Sequence, residues 1–232
     1  MLAPRLALGT LLLALPCLSR AQTTEPAPVP KFYVGLGAYG SFYQSLGGRF
    51  SNEKGFPVPL QLTAGYQLRP RLAVQLGVAY SGFTSRYDVE GYYFTADPAA
   101  PEAYYHYTST STRRNTSVSA LARYTLTRKL AHRVQFDVLG GLTLEHYNGY
   151  ARGTETQGYV NNLQVTNFDQ RYVQNTLLLS AGASVRYRLT PRFDLNLDYT
   201  LNHSVLTGRP SRGLNSLTGA AALGLRYRFG QR

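Results

Sequence analysis

The chain has 232 residues, 44% hydrophobic and 12% aromatic, and a formal net charge of +12. This length accommodates one β-rich domain and leaves no room for a second domain of similar size. Its only cysteine, Cys17, lies in the N-terminal segment, so disulfide, zinc-finger and thiol-nucleophile chemistry are excluded for a mature chain that lacks that segment.

The first 21 residues have the pattern of a secretory signal peptide. Arg5 supplies the basic region, Leu6–Leu18 the apolar core, and Ser19-Arg20-Ala21 a small-x-small cleavage site. We therefore expect export and removal of residues 1–21. Residues 22–30 are proline-rich and lack periodicity, which predicts an extended periplasmic leader.

Eight later segments alternate apolar and polar residues with the period of a β-strand. The clearest two flank the breaker Thr190-Pro191, and each continues for about ten residues, which matches a tilted bilayer crossing better than a soluble strand. In chain order the predicted strands are about Phe32–Tyr43, Val58–Leu68, Leu72–Ser81, Asn115–Leu126, Val134–His146, Thr176–Leu189, Phe193–Asn202 and Leu217–Phe229.

The connections between these segments alternate between long and short. Thr84–Arg114, an exposed loop or strand extension, and Tyr147–Tyr172, a polar segment, are the longest, whereas Arg69-Pro70-Arg71 is a tight turn. This pattern predicts a closed, all-β, eight-stranded antiparallel transmembrane β-barrel over residues 31–232, an up-and-down meander with periplasmic termini and long extracellular loops. No apolar run approaches the ~20 residues of a spanning helix. The alternative is a soluble β-sandwich or lipocalin-like sheet.

Outward-facing aromatic residues gather at the short-turn ends of the predicted strands. Such a collection is typical of the girdle at a membrane interface, and the soluble alternative does not explain it. The predicted girdle consists of Phe32, Tyr66, Tyr124, Tyr187, Phe193 and Tyr227.

The opposite, inward parity carries full charges. Eight strands leave an interior that side chains just fill, so we expect these charges to pair as a structural plug, with a pore or proton path as the alternative. Arg186 is expected to pair with Asp194 across the Thr190-Pro191 hairpin. The predicted lumen charge network consists of Arg123, Asp137, Glu145, Arg186, Arg188, Asp194, Asp198, Arg226 and Arg228.

Catalytic and ligand-binding motifs are sparse. The four histidines lack metal-ligand spacing and no Gly-rich phosphate loop is present, so we expect no metal and no cofactor. His203-Ser204, with Glu145 elsewhere, resembles the His/Ser/acid site of lipid A deacylase barrels, but that family has His-x-Ser, and the adjacent residues of a strand face opposite sides. We therefore expect no enzymatic activity, and a lipid-modifying barrel is a remote alternative.

The basic excess does not form one patch along the sequence. It crowds the short turns and strand ends, for example at Arg128, Lys129 and Arg133, which favours an anionic membrane surface or lipid headgroup over nucleic acid as the partner.

The signal peptide, the eight alternating strands, the basic short turns and the final Arg-Tyr-Arg-Phe segment together resemble the small outer-membrane β-barrel family, of the OmpX/OmpA-barrel type and the PorT-like barrels of Bacteroidetes. This resemblance implies a Gram-negative outer-membrane location, contact with outer-membrane lipids, and a role for Phe229 in recognition by the barrel-assembly machinery, although three residues follow it. The resemblance is architectural and says little about activity. Two classes of function stay open: a non-enzymatic protein of envelope structure or assembly, or of surface binding through long extracellular loops, and, as the alternative, a small channel or transport protein.

Overall fold

The structure, a computed structural model, describes residues 30–44, 53–93, 103–159, 162–206 and 217–230. The predicted signal peptide, and the predicted leader up to residue 29, lie outside these ranges. Among the described residues, no helix is long and apolar enough to cross a membrane. The described strands are β1 (Phe32–Ser41), β2 (Glu53–Arg69), β3 (Leu72–Tyr93), β4 (Ala103–Thr125), β5 (Val134–Tyr159), β6 (Asn162–Arg188), β7 (Phe193–Leu206) and β8 (Leu217–Phe229).

These strands close into a barrel. Each pairs in antiparallel with the next along the chain, and β8 returns to pair with β1. At the closing seam Phe32 lies opposite Phe229, and Ser41 lies opposite Ala220. Closure removes strand edges from the spanning region, where lipid offers the backbone no hydrogen-bond partner. The predicted eight-stranded up-and-down barrel is confirmed.

Burial is the reverse of that in a soluble protein. Arg123, Asp137 and Arg226 face the lumen and are at most 2% exposed, whereas the outward-facing Leu36 and Leu76 are 57% and 63% exposed. Charged groups are costly to bury unless they are paired, while exposed aliphatic side chains are stable where the surrounding solvent is lipid. This inside-out arrangement excludes the soluble sandwich.

Four strands are much longer than a membrane crossing requires. Strands β3, β4, β5 and β6 contain 22, 23, 26 and 27 residues, whereas β7 and β8 contain 14 and 13. Because a tilted crossing takes about 9–11 residues, the long strands continue beyond the bilayer as a four-stranded sheet. We call residues 82–93, 103–114, 148–159 and 162–173 the extended sheet.

The extended sheet contains most of the two segments for which the sequence suggested loops. Within Thr84–Arg114 the described residues, 84–93 and 103–114, form the strand extension and not the exposed loop, and all described residues of Tyr147–Tyr172, 147–159 and 162–172, are strand. Both faces of this sheet meet water, so apolar and polar residues no longer alternate there, and the main sequence signal for a strand is lost. Only the content of Tyr, Thr and Val, which favour extended backbone, indicated β-structure.

The Thr190 turn shows why the short connections are tight. The Thr190 hydroxyl oxygen accepts hydrogen bonds from the backbone N–H groups of Arg192 and Phe193, at 3.3 and 3.0 Å. The N–H of Leu189 donates to the carbonyl of Phe193 at 2.9 Å and closes the hairpin. A threonine side chain thus replaces backbone partners in the turn, and Pro191 restricts its conformation.

Candidate functional sites in the lumen and the extended sheet

Arg123 of β4 is the centre of the charges in the lumen. Its Nη1 donates to Asp137 Oδ2 at 2.9 Å and to Ser184 Oγ at 2.7 Å. Its Nη2 donates to Asp198 Oδ2 at 2.7 Å and to Gln75 Oε1 at 3.0 Å. One guanidinium therefore joins β4 to β3, β5, β6 and β7, and the planar five-donor geometry of arginine makes such multiple bonding possible.

Arg226 of β8 completes the circuit to the closing seam. Its Nη2 donates to Asp198 Oδ2 at 3.1 Å and to Gln75 Oε1 at 3.0 Å. Its guanidinium carbon lies 4.9 Å from the centroid of the Tyr33 ring, within the range of a cation–π interaction. The Tyr33 hydroxyl donates to Gln75 Oε1 at 3.1 Å, so β1 joins the same network.

Asp194 is paired at the short-turn end of the lumen, with Arg228. Arg228 Nε lies 3.1 Å from Asp194 Oδ2, although the angle is not that of a hydrogen bond. In the strand register, Arg188 lies opposite Asp194, and its guanidinium donates to the carbonyl of Leu130 in the β4–β5 connection at 2.9 Å. At this end Arg228 thus pairs with a buried carboxylate, and Arg188 binds the backbone of the β4–β5 connection.

The predicted pairing of Arg186 with Asp194 is wrong. Arg186 Nη2 lies 3.4 Å from Asp137 Oδ1 and also donates to Thr125 Oγ1 at 3.3 Å. The register of the hairpin relates residues of β6 and β7 only, and in it Arg186 lies one diagonal step from Asp194. The Arg186 side chain instead turns towards β5, the other neighbour of β6, where a buried carboxylate is available.

Glu145 lies in the lumen but outside this ion-pair network, which corrects the prediction that placed it there. It is 3% exposed and has no cation within ion-pair distance among the described side chains. Its Oε1 accepts a hydrogen bond of 3.4 Å from the Tyr39 hydroxyl, and Ser117 and Thr176 flank it in register. The cause is distance, because Glu145 lies eight residues along β5 from Asp137.

Uncharged side chains fill the lumen between these two regions. Leu121, Leu139 and Leu178 point inward from β4, β5 and β6 and are 8%, 2% and 0% exposed. Strand parity marks all three as inward-facing, and a sequence analysis that follows only the inward charges does not find Leu139 and Leu178. Large buried side chains at this level support the filled interior expected of eight strands.

The predicted girdle residues lie at the short-turn end, and part of them form a continuous aromatic arc. The ring of Phe32 lies 5.0 Å from that of Tyr66 and 5.8 Å from that of Phe229, between ring centroids. Tyr227 lies 6.0 Å from Phe229 and 5.2 Å from Phe193. These are ordinary distances for aromatic pairs, and Phe229 thus joins the arc. Tyr124 and Tyr187 lie at the same end, outside the arc.

The inner face of the extended sheet, which continues the lumen side, carries a cluster of aromatic rings. Tyr107 stacks on Phe168 with centroids 5.6 Å apart and planes 14° apart, and Tyr105 and Tyr87 lie 6.4 and 6.0 Å from Tyr107. Phe168 lies opposite Gly153, and a Cβ there would come within 2.7 Å of the ring and 1.9 Å of the Thr108 carbonyl oxygen. The missing side chain at position 153 therefore makes room for the aromatic cluster.

The outer face of the extended sheet holds a depression of about 640 Å³. Arg86, Thr110 and Arg152 line it as successive cross-strand neighbours on β3, β4 and β5. The two arginines form no ion pair with the described side chains.

Two carboxylates at the sides of the depression are already bound. Asp88 lies 2.9 Å from His106 Nε2, and Asp169 accepts a 2.9 Å hydrogen bond from the Tyr150 hydroxyl, which raises the pKa of Tyr150 because it stabilises the protonated phenol. The depression therefore combines two guanidinium groups that lack a carboxylate partner among the described side chains with two engaged carboxylates.

The extended sheet has two open edges among the described strands. Strand β3 loses its β2 partner after Ser85, and β6 is paired with β7 only from Leu177 onward. Along Asn162–Thr176, the backbone N–H and C=O groups on the side of β6 away from β5 have no strand partner among the described residues, and such an edge can pair with another strand.

The described residues form no catalytic constellation of the lipid-modifying type. Ser204 follows the inward parity of β7, whereas His203 points outward, so this histidine does not face its neighbouring hydroxyl. No group of three or more His, Cys, Asp or Glu residues within the described ranges is arranged to hold a metal ion.

Comparison with known proteins gives both a family match and structural neighbours. A family model described as an outer membrane protein β-barrel domain matches residues 9–229. A major outer membrane protein of Thermus thermophilus is 18% identical, covers 87% of this chain and 100% of its own, and has a TM-score of 0.52, a likeness that shows the fold. A search of curated proteins found no match.

Two further solved barrels are similar over most of their length. The N-terminal β-barrel domain of Pseudomonas aeruginosa OprF is 14% identical, with 87% and 99% of the two chains covered and a TM-score of 0.47. Ail, the attachment invasion locus protein of Yersinia pestis, is 13% identical with the same coverage and a TM-score of 0.42.

Proposed function

Because the chain belongs to the family of outer-membrane proteins with a β-barrel domain, we propose that it is a non-enzymatic surface-binding protein whose barrel holds the extended sheet above the bacterial outer membrane. The open edge of β6, along Asn162–Thr176, is the observation that carries this proposal. An unpaired strand edge is a template on which an extended segment of another protein adds as a further strand. Main-chain hydrogen bonds supply the affinity in this type of recognition.

The side chains beside this edge are suited to recognition. On the inner face Phe168 presents an aromatic cluster with Tyr107 and Tyr87, and on the outer face Val165 is 62% exposed. Tyrosine offers a large contact area at low conformational cost, and apolar side chains that no neighbour covers gain most from a partner. A partner strand on β6 would place alternate side chains against these two faces.

The interior of the barrel favours this role over that of a channel. Arg123 and Arg226 cross the lumen with their bound carboxylates, and Leu139 and Leu178 fill the next level. A pathway would require these buried ion pairs to separate, which is costly. The filled barrel acts as a rigid anchor, and a role in envelope structure would use the same rigidity.

Orientation and assembly complete the proposal. We place the short turns and both termini in the periplasm and the extended sheet outside, as in barrels with short periplasmic turns. Strand β8, ending in Phe229, is the segment we assign to the barrel-assembly machinery.

Selection of peptide ligands on the folded protein in lipid nanodiscs tests the surface-binding function. Phage-displayed peptides would be selected on the full chain and then tested on a variant that lacks residues 86–110 and 152–169, which retains the spanning strands. We expect the selection to yield extended peptides that bind the full chain but do not bind the shortened variant. Binding of these peptides should slow hydrogen exchange at the backbone amides of β6. Heat-modifiable migration on unboiled gels controls for folding of both proteins.

A matched pair of variants locates the contact. Tyr107→Ser with Phe168→Ser removes the cluster beside the edge, whereas Tyr92→Ser removes an exposed ring at the tip of the outer face. We expect the first to weaken peptide binding and the second to preserve it. Peptides that bind the shortened barrel equally well, or a selection that yields no binders, would contradict the proposed function.

A further inference from the structure

Among the residues that the structure describes, the short-turn end of the barrel exposes cations and no carboxylate. Among the described residues of this end, the carboxylates are Asp137 and Asp194, and both are buried in the lumen. The far end is mixed, since Asp88, Glu90 and Asp169 accompany its arginines. Apart from the lumen arginines Arg186, Arg188 and Arg228, the exposed and half-exposed cations described at this end are Lys31, Arg69, Arg71, Arg128, Lys129, Arg133 and Arg192.

A contact between two turns brings together the segments that carry three of these cations. The Arg71 guanidinium, in the β2–β3 turn, donates to the carbonyl oxygen of Arg128 at 3.0 Å in the β4–β5 connection. The carbonyl of Arg71 accepts from the N–H of Thr125 at 2.8 Å, so its backbone is fixed as well. Lys129 follows Arg128 directly. Three positive charges therefore belong to one small area of the surface, where a bound anion would be attracted by all of them.

The cluster lies at the depth of lipid headgroups. Tyr124 of β4 and Leu126, which directly follows that strand, are 47% and 54% exposed on the lipid side, and Arg128 comes two residues after Leu126. On the neighbouring strand Phe136, 53% exposed, continues the same apolar edge. Aromatic and apolar residues of this kind mark the boundary between hydrocarbon and headgroups. A phosphate at that boundary would meet the cations while its acyl chains meet these side chains.

We propose that Arg71, Arg128 and Lys129 form a binding site for the phosphate group of an anionic phospholipid. A guanidinium group binds a phosphate with two parallel hydrogen bonds, and the Lys129 ammonium adds a third charge. The three cations attract a headgroup with a net negative charge, so the site selects phosphatidylglycerol over phosphatidylcholine, whose headgroup is zwitterionic. This inference does not depend on the surface-binding function, because it concerns the opposite end of the barrel.

Native mass spectrometry of the purified full chain in detergent, with equal amounts of phosphatidylglycerol and phosphatidylcholine, tests the site. Because each cation near an anionic surface strengthens binding by about fivefold, we expect the wild-type chain to prefer phosphatidylglycerol by about tenfold or more. In the triple variant Arg71→Gln, Arg128→Gln, Lys129→Gln the preference should fall to within about twofold. Raising the salt concentration should weaken the wild-type preference as well.

The control variant removes the same number of charges from the far end, as Arg86→Gln, Arg114→Gln and Arg152→Gln, and it should retain the preference. An equal loss in this control would show that net charge alone selects the lipid, which overturns the site. A triple variant that keeps the preference overturns it too. Inorganic phosphate at the lipid concentration should not displace phosphatidylglycerol, since it lacks acyl chains; displacement would show a general anion site in place of a lipid site.

Discussion

Arg123 and Asp198 lie on β4 and β7, which are not neighbours, and their side chains meet across the lumen at 2.7 Å. Asp198 Oδ2 also accepts from Arg226, at 3.1 Å, so one carboxylate neutralises part of two buried guanidinium groups. Such a contact joins opposite walls of the barrel. The lumen side chains therefore link the strands of the barrel in addition to filling its interior.

Loss of Arg123 should therefore destabilise the barrel strongly. Arg123→Met leaves Asp137 and Asp198 with one arginine partner each and should lower the free energy of unfolding by about 3–5 kcal/mol, the range for breaking a buried ion pair. Urea unfolding in lipid vesicles, followed by the heat-modifiable gel band, measures the change. Arg133→Met, on an exposed turn, is the control and should change stability by less than about 0.5 kcal/mol. An unchanged urea midpoint for Arg123→Met would indicate a hydrated lumen and favour a channel.

A double-mutant cycle should assign the partner of Asp194. Alanine substitutions at Asp194 and Arg228 should show a coupling energy of about 0.5–3 kcal/mol, since the two side chains are buried and in contact. The same cycle with Asp194 and Arg186 should give a much smaller value, because Arg186 pairs with Asp137. The coupling energies come from urea midpoints of the single and double variants. A larger coupling energy between Asp194 and Arg186 than between Asp194 and Arg228 would show that Asp194 pairs with Arg186, as the hairpin predicted.

Two adjacent glycines should respond in opposite ways to the same substitution. A Cβ at Gly141 would lie 2.0 Å from the Ala120 carbonyl oxygen, so Gly141→Ala must move β4 and should cost about 1–3 kcal/mol. Gly140, on the lipid-facing parity, has nothing within 4 Å of a Cβ. Gly140→Ala should leave stability unchanged or raise it by about 0.4–1 kcal/mol, by restricting the unfolded chain. A urea midpoint for Gly141→Ala that is as high as that of the wild-type chain would show that the lumen wall has room for a methyl group at position 141.

The barrel should not conduct ions. In planar bilayers at neutral pH we expect no stable single-channel steps from the wild-type chain, because buried side chains from every strand but β2 meet in the network around Arg123 and Arg226. A variant with Leu139→Gly and Leu178→Gly tests whether filling of the lumen by side chains prevents conduction. If it does, this variant should conduct more than the wild-type chain. Large steps from the wild-type chain would favour the channel and contradict the plugged lumen.

Much of the spanning region could be predicted from the sequence, because apolar and polar residues alternate with a period of two along each strand of a membrane barrel. In Phe193–Leu201 each outward residue is aliphatic or aromatic and each inward residue is polar, since lipid lies on one side and a polar lumen on the other. That contrast also placed the aromatic residues at one end. It disappears in the extended sheet, where water bathes both faces, and there the sequence left loop and strand as alternatives.

The sequence by itself determined the number of strands, their order and the side of the wall to which each side chain points, because these properties depend on local alternation and on connection lengths. Only the tertiary structure decided which charges meet. Arg186 turns to Asp137, Asp194 to Arg228, and Glu145 stands apart among hydroxyl groups. Closure of the sheet brings residues of non-adjacent strands to the same height in the lumen, and this stagger between strands is a property of the closed barrel that no single hairpin carries.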